Sequence, residues 1–136
     1  DETLVWVDQS SGMASQVTDL QNTYEHPRVS PDERLIAYDI GPGDRRNVWI
    51  FDRLRGFPTR LTDEGSNFLP LWTPDNERVV FVSTRTGSWD IFSKSANGSS
   101  EAEVLLQLPY PQIPSSFAPD GTLGYYEIHP DTGRDI

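Results

Sequence analysis

One phrase occurs three times along the chain. Pro70-Leu71-Trp72-Thr73-Pro74-Asp75 leads into the apolar run Arg78-Val79-Val80-Phe81-Val82. Upstream, Pro27-Arg28-Val29-Ser30-Pro31-Asp32 leads into Leu35-Ile36-Ala37-Tyr38; downstream, Ser115-Ser116-Phe117-Ala118-Pro119-Asp120 leads into Leu123-Gly124-Tyr125-Tyr126. Pro31, Pro74 and Pro119 stand 43 and 45 residues apart. A repeat of about 40–45 residues, built from short strands, is the signature of a four-stranded β-propeller blade. Ten glycines and eleven prolines, spread evenly, leave no room for amphipathic helices. The expected fold is therefore all-β, a β-propeller of antiparallel four-stranded blades.

The rest of the repeat falls into place around that phrase. Proline presets φ at the second position of a type I turn, Ser30 or Thr73 suits the first, and the aspartate bonds its own backbone. First and second strands flank each turn, the second strands being expected at Leu35–Ile40, Arg78–Ser83 and 123–128. The third copy is one residue shorter, and Gly121 should absorb the deletion in a tighter turn. Third strands are read at Leu4-Val5-Trp6-Val7-Asp8, Val48-Trp49-Ile50-Phe51-Asp52 and Asp90-Ile91-Phe92-Ser93-Lys94. Gly12, Gly56 and Gly98 each lie four residues beyond these strands, supplying the positive φ of a longer hairpin loop. Fourth strands are read at Val17-Thr18-Asp19-Leu20, Arg60-Leu61-Thr62 and Val104-Leu105-Leu106. Second strands that are apolar on both faces imply sheets stacked face to face.

Residues 1–136 thus read as one propeller segment. It comprises a half-blade over 1–20, blades over 27–62 and 70–108, and a complementary half-blade over 115–136. A propeller closes with about 4–8 blades, so three repeats are too few, and unfinished sheets expose strand edges. Either the chain is part of a longer propeller, or two copies exchange half-blades and close a six-bladed ring as a homodimer with two-fold symmetry. The first residue is Asp1, as expected of a chain processed or excised from a longer one.

These motifs resemble the TolB-like propeller repeat of bacteria, a relative of the WD-type propellers. The resemblance rests on the two phrases at Pro27 and Pro70, on Asn47-Val48-Trp49 and Asp90-Ile91-Phe92, and on Arg60-Leu61-Thr62. Glu33 and Asn76 replace the repeat's turn glycine, and Phe117 replaces its tryptophan. The two chain ends are similar to propellers attached to bacterial serine/threonine kinases, yet no Gly-rich loop and no His-Arg-Asp is present. The resemblance implies an extracytoplasmic, periplasmic setting.

Several function classes find no support in the residues. A net charge of −10 repels phosphate backbones, so nucleic acid is not an expected partner. No apolar run approaches the roughly 18 residues of a membrane span, so no direct membrane insertion is expected. Absence of cysteine excludes disulfides and thiolate chemistry. The two histidines, His26 and His129, lie in different repeats, and no Gly-x-Ser-x-Gly elbow is present. Asp63-Glu64-Gly65 and Asp131-Thr132-Gly133 lack the alternating oxygen ligands of a calcium loop and read as solvated turns. Asn97-Gly98-Ser99 spells a glycosylation acceptor, but it occupies a hairpin turn that wants Asn-Gly for backbone reasons. No cofactor and no metal are expected.

Recognition is the remaining class. Loops joining second to third strands, and fourth strands to the next first strand, share one side of a propeller. That side should carry Tyr24, His26, Arg45, Asn67, Phe68, Arg85, Trp89 and Gln112, a mixture that suits a binding surface. Ordinary polar loops are the competing reading. Trp49 and Trp72 lie in recurring strands and should pack between blades, whereas Trp89 should lie nearer the surface. The expected function is a non-enzymatic scaffold for protein or peptide. The alternatives are a propeller gating or supporting a peptidase or saccharide-degrading enzyme, or the sensor domain of a membrane-bound kinase.

Overall fold

The structure is a computed structural model that describes residues 3–16 and 24–130, and the backbone of 133–135. The described residues form thirteen strands and no helix. The strands are β1 (Val5–Val7), β2 (Ala14–Gln16), β3 (Glu25–Val29), β4 (Leu35–Ile40), β5 (Asn47–Asp52), β6 (Phe57–Arg60) and β7 (Asn67–Trp72). They continue as β8 (Arg78–Ser83), β9 (Asp90–Ser95), β10 (Glu103–Leu106), β11 (Gln112–Phe117), β12 (Leu123–His129) and β13 (Gly133–Asp135). Each sheet is an antiparallel meander: β1-β2, β3-β4-β5-β6, β7-β8-β9-β10 and β11-β12-β13.

The Pro-Asp turns fold as their residues dictate. The amides of Glu33, Asn76 and Gly121 bond the carbonyls of Ser30, Thr73 and Ala118, closing a β-turn in each copy. Ser30 Oγ donates to Asp32 Oδ1 at 2.6 Å, and Thr73 Oγ1 to Asp75 Oδ1 at 2.6 Å. Those bonds hold the Asp32 and Asp75 carboxyls below their ordinary range; in the third copy the Thr122 amide does the same for Asp120. The turn amide of Ser30 bonds Leu35 and that of Thr73 bonds Arg78, whereas Ala118 bonds Thr122, one residue sooner. Gly121, at φ 93°, takes up the shortening.

Some boundaries differ from the sequence reading. The fourth strand expected at Arg60-Leu61-Thr62 lies earlier, at Phe57–Arg60. Thr62 leaves the ladder because its hydroxyl replaces a backbone partner: Oγ1 accepts the Val48 amide at 2.9 Å and donates to Asn47 Oδ1 at 2.9 Å. The fourth strand expected at Val17-Thr18-Asp19-Leu20 lies outside the described residues; within them, β1 pairs with Ala14–Gln16. The first strands begin before their prolines. In β3 and β7 a bulge, between Glu25 and Arg28 and between Phe68 and Leu71, inserts one extra residue. His26 (φ 53°) and Leu69 (φ 57°) occupy the equivalent left-handed position in these bulges.

The sheets stack face to face. Ala37, Val48, Ile50 and Leu61 of the β3–β6 sheet form one core with Trp72, Val79, Phe81 and Phe92 of the β7–β10 sheet. On the opposite face of the β3–β6 sheet, Ile36, Tyr38 and Phe51 pack with Leu4 and Tyr24, and Trp6 and Trp49 lie against them. This explains why β4 and β8 are buried on both sides, Val79 through Ser83 without interruption. Each fully buried Val or Phe side chain contributes about 1.5–3 kcal/mol. Hydrogen bonds cross the first stack as well, among them Trp72 Nε1 to Arg28 O at 2.9 Å, Lys94 Nζ to Leu61 O at 2.7 Å, and the Asp32 amide to Asn76 Oδ1 at 2.7 Å.

That last bond separates two positions with the same backbone. Glu33 (φ 64°) and Asn76 (φ 67°) are both left-handed. Glu33→Gly relieves the backbone and should raise stability by about 0.5–1 kcal/mol. Asn76→Gly also removes the acceptor for the Asp32 amide and should lower stability by about 1 kcal/mol. Urea denaturation of the two variants measures both signs.

Candidate binding face

The strand ends on the loop side carry two polar assemblies and one aromatic one. The first is centred on Asp39, a carboxylate fully buried within the apolar strand β4. Arg46, from the start of the β5 side of the hairpin, donates through Nε to Asp39 Oδ1 and through Nη2 to the Asp39 carbonyl at 2.8 Å. His26 Nδ1 lies 2.9 Å from Asp39 Oδ2, and the Leu69 amide of the neighbouring sheet donates to the same oxygen at 3.0 Å. The left-handed residue of each bulge therefore meets Asp39, His26 by its ring and Leu69 by its backbone.

Glu25, His26 and Asp39 bring one ligand atom each within 4.8 Å, a spacing that metal ions use. The donor set does not fit an ion: both Asp39 oxygens are engaged, and the Arg46 guanidinium stands in the cluster, 3.9 Å from Glu25 Oε2. The group is an ion-paired clamp between sheets.

The second assembly runs along the seam between the two four-stranded sheets. Asn67, fully buried, donates through Nδ2 to Asn47 Oδ1 at 3.1 Å and to Glu64 O at 2.9 Å. Its Oδ1 accepts Arg85 Nη2 at 3.1 Å. Arg85 also donates to Ser83 Oγ at 2.9 Å, and its guanidinium lies 4.5 Å over the Phe92 ring. Gly65 lets this loop close: a Cβ there would meet the Arg85 amide at 2.9 Å.

Phe68, next to Asn67 in the chain, begins the aromatic assembly. Phe68 and Trp89 meet edge to face at 5.0 Å, and Trp89 is 36% exposed. The Gln112 amide bonds the Trp89 carbonyl at 3.1 Å, tying the β11 strand to this pair. Tyr110, 37% exposed, lies 4.2 Å from the His129 ring.

Among the eight residues read from sequence, Asn67, Phe68, Arg85, Trp89 and Gln112 thus come together. Tyr24 is buried edge-on against Tyr38 at 5.1 Å, and burial pushes both phenols up. Arg45 stands apart, exposed in the β4–β5 turn. His26 belongs to the Asp39 clamp. Sequence reasoning passed over Asp39, although a lone carboxylate inside Leu35–Ile40 is a legible signal. It also passed over Asn47 and Thr62, whose pairing depends on residues 15 and 20 positions away. The other face carries a cleft of about 720 Å³ beside the Pro-Asp turns, lined by Arg34, Asp52, Phe57, Arg60 and Glu77 among others.

Asp39→Ala leaves the largely buried Arg46 without its counter-ion and should cost about 3–5 kcal/mol. Chemical denaturation measures the loss, and a cycle with Arg46→Met isolates the pair.

No protein-family model matches the chain. Among solved structures, a putative TolB from Agrobacterium tumefaciens superimposes with a TM-score of 0.79 at 25% identity, over 96% of this chain and 47% of that one. Among curated proteins, the Tol-Pal system protein TolB of Wolinella succinogenes is 23% identical over 101 residues, which are 71% of this chain and 23% of that protein. The uncharacterized peptidase YuxL of Bacillus subtilis is 28% identical over 103 residues, 70% of this chain and 16% of that protein. The chain spans under a quarter of the length of each of these curated relatives. No helix among the described residues is long and apolar enough to cross a membrane. Stacked antiparallel sheets of two to four strands, superimposing on TolB, give this chain a TolB-like β-propeller fold.

Proposed function

We propose that this chain is a non-enzymatic propeller scaffold that binds protein or peptide on its loop face, in an extracytoplasmic setting. The observation that carries the reading is the Phe68–Trp89 pair. A half-exposed tryptophan, held edge-on by a second ring and anchored beside buried amides, matches the anchor of a recognition surface. Similarity to Tol-Pal system proteins supports the same reading. A peptide library displayed on phage and panned on the protein should yield binders, and Trp89→Ala should weaken them by about tenfold or more. Binders that ignore Trp89→Ala, or no binders at all, would count against it.

Similarity to YuxL, a peptidase by name, supports a second reading: a propeller that serves an enzyme. In that case the loop face would still bind peptide, as the substrate of a catalytic domain.

We infer further that the β1-β2 and β11-β12-β13 sheets, half-blades by the repeat, are completed by a second copy, the alternative being further blades of a longer chain. Among the described residues the β1-β2 sheet has two strands and leaves Val5 and Val7 over half exposed, at 55% and 59%. The β11-β12-β13 sheet borders an apolar groove of about 430 Å³ formed with Val104, Leu105, Leu123 and Tyr125. By the repeat these sheets are complementary halves, and this chain matches 47% of the Agrobacterium TolB chain, so two copies approach its length. Light scattering should give twice the 15.4 kDa of one chain; a stable 15.4 kDa monomer would refute the exchange.

A further inference from the structure

The seam between the β7–β10 and β11–β13 sheets repeats the seam before it, with one difference in chemistry. Asn47 opens β5 and Asp90 opens β9; Asn67 opens β7 and Gln112 opens β11. The backbone bond is the same in both places, from the Asn67 amide to Arg46 O at 2.8 Å and from the Gln112 amide to Trp89 O at 3.1 Å. Asp90 and Gln112 therefore occupy the places where Asn47 and Asn67 bond one another at 3.1 Å.

In the first seam the side-chain oxygens of Asn47 and Asn67 both find donors. Asn47 Oδ1 accepts from both Asn67 Nδ2 and Thr62 Oγ1. In the second seam the Gln112 Nε2 group is turned to the carbonyls of Leu108 and Tyr110, and Thr86 Oγ1 donates to Asp90 Oδ2. Asp90 Oδ1 and Gln112 Oε1 are left without a hydrogen-bond partner, although both residues are fully buried. Among the described residues no Lys, Arg or His forms an ion pair with Asp90. The contrast is with Asp39, equally buried, which has both Arg46 and His26. A buried carboxylate without a cation is costly, so such groups are paired or coordinate an ion.

We propose that Asp90 Oδ1 and Gln112 Oε1 take up a hard, oxygen-seeking cation between these two sheets. Two acceptor-only oxygens, one anionic and one neutral, suit an alkali or alkaline-earth ion and not a softer metal. A single carboxylate is neutralised by a monovalent ion, which favours Na+ or K+ over Ca2+.

Thermal unfolding at matched ionic strength tests the site, with NaCl, KCl, CaCl2 and tetramethylammonium chloride as the salts. The wild-type protein should melt at least about 3 °C higher in one of the small cations than in tetramethylammonium. Asp90→Asn should lose that difference. It should also melt at or above the wild type in tetramethylammonium, because the buried charge is gone and a neutral amide at this place can pair with Gln112 as Asn47 pairs with Asn67. The preferred salt distinguishes alkali from alkaline-earth ions. Equal melting of the wild type in all four salts would overturn the proposal, as would an unchanged preference in Asp90→Asn. Should that variant fail to fold, Gln112→Met removes the second oxygen and should reduce the small-cation preference; an unchanged preference would overturn the proposal.

Discussion

Everything in this molecule depends on strands that are buried on both faces. Ile36, Ala37, Tyr38 and Asp39 in β4, and Val79 to Ser83 in β8, have no solvent side. A sheet built from such strands cannot stand alone, because about half its apolar area would face water. It needs a neighbour on each side, and each neighbour imposes the same need in turn. The stack of sheets is the direct result. So is the poorer burial of β12 and of the β1-β2 hairpin, which lie at the ends of the stack.

Face-to-face apolar packing sets distance but not register, since one branched side chain slides past another at little cost. The polar groups supply register. Trp72 Nε1 reaches Arg28 O, Asn76 Oδ1 receives the Asp32 amide, and Asp39 receives the Leu69 amide. Each of these bonds joins equivalent levels of successive sheets, and each fails if the sheets shift by one residue. The Asp39 clamp has the greatest consequence of the three, because a buried charge left unpaired costs several kcal/mol. Specificity of stacking therefore rests on a few buried polar contacts over a large, permissive apolar area.

The same seams determine what the surface can do. Trp89 is presented because Asp90 is drawn into the seam and Gln112 holds the Trp89 carbonyl. Under the proposed binding role, side chains fixed in this way would lose little conformational entropy on binding.

The sequence by itself determined the repeat, and with it the strands, the Pro-Asp turns, the hairpin glycines and the shortened third turn. All of these are local: proline restricts φ, glycine permits φ above zero, and side-chain oxygens two residues away bond the backbone. The aromatic pair of Phe68 and Trp89 was half legible, because strand order places both residues on the loop side. Only the tertiary structure decided that Tyr24 is buried against Tyr38, that Arg85 is consumed by Asn67 and Phe92, and that Asp39 pairs with Arg46. It also decided that β6 stops at Arg60, where the Thr62 hydroxyl takes over from the ladder. These outcomes depend on which side chains meet across two sheets. No local propensity encodes that meeting, since the partners lie up to 44 residues apart and are joined only when the sheets stack.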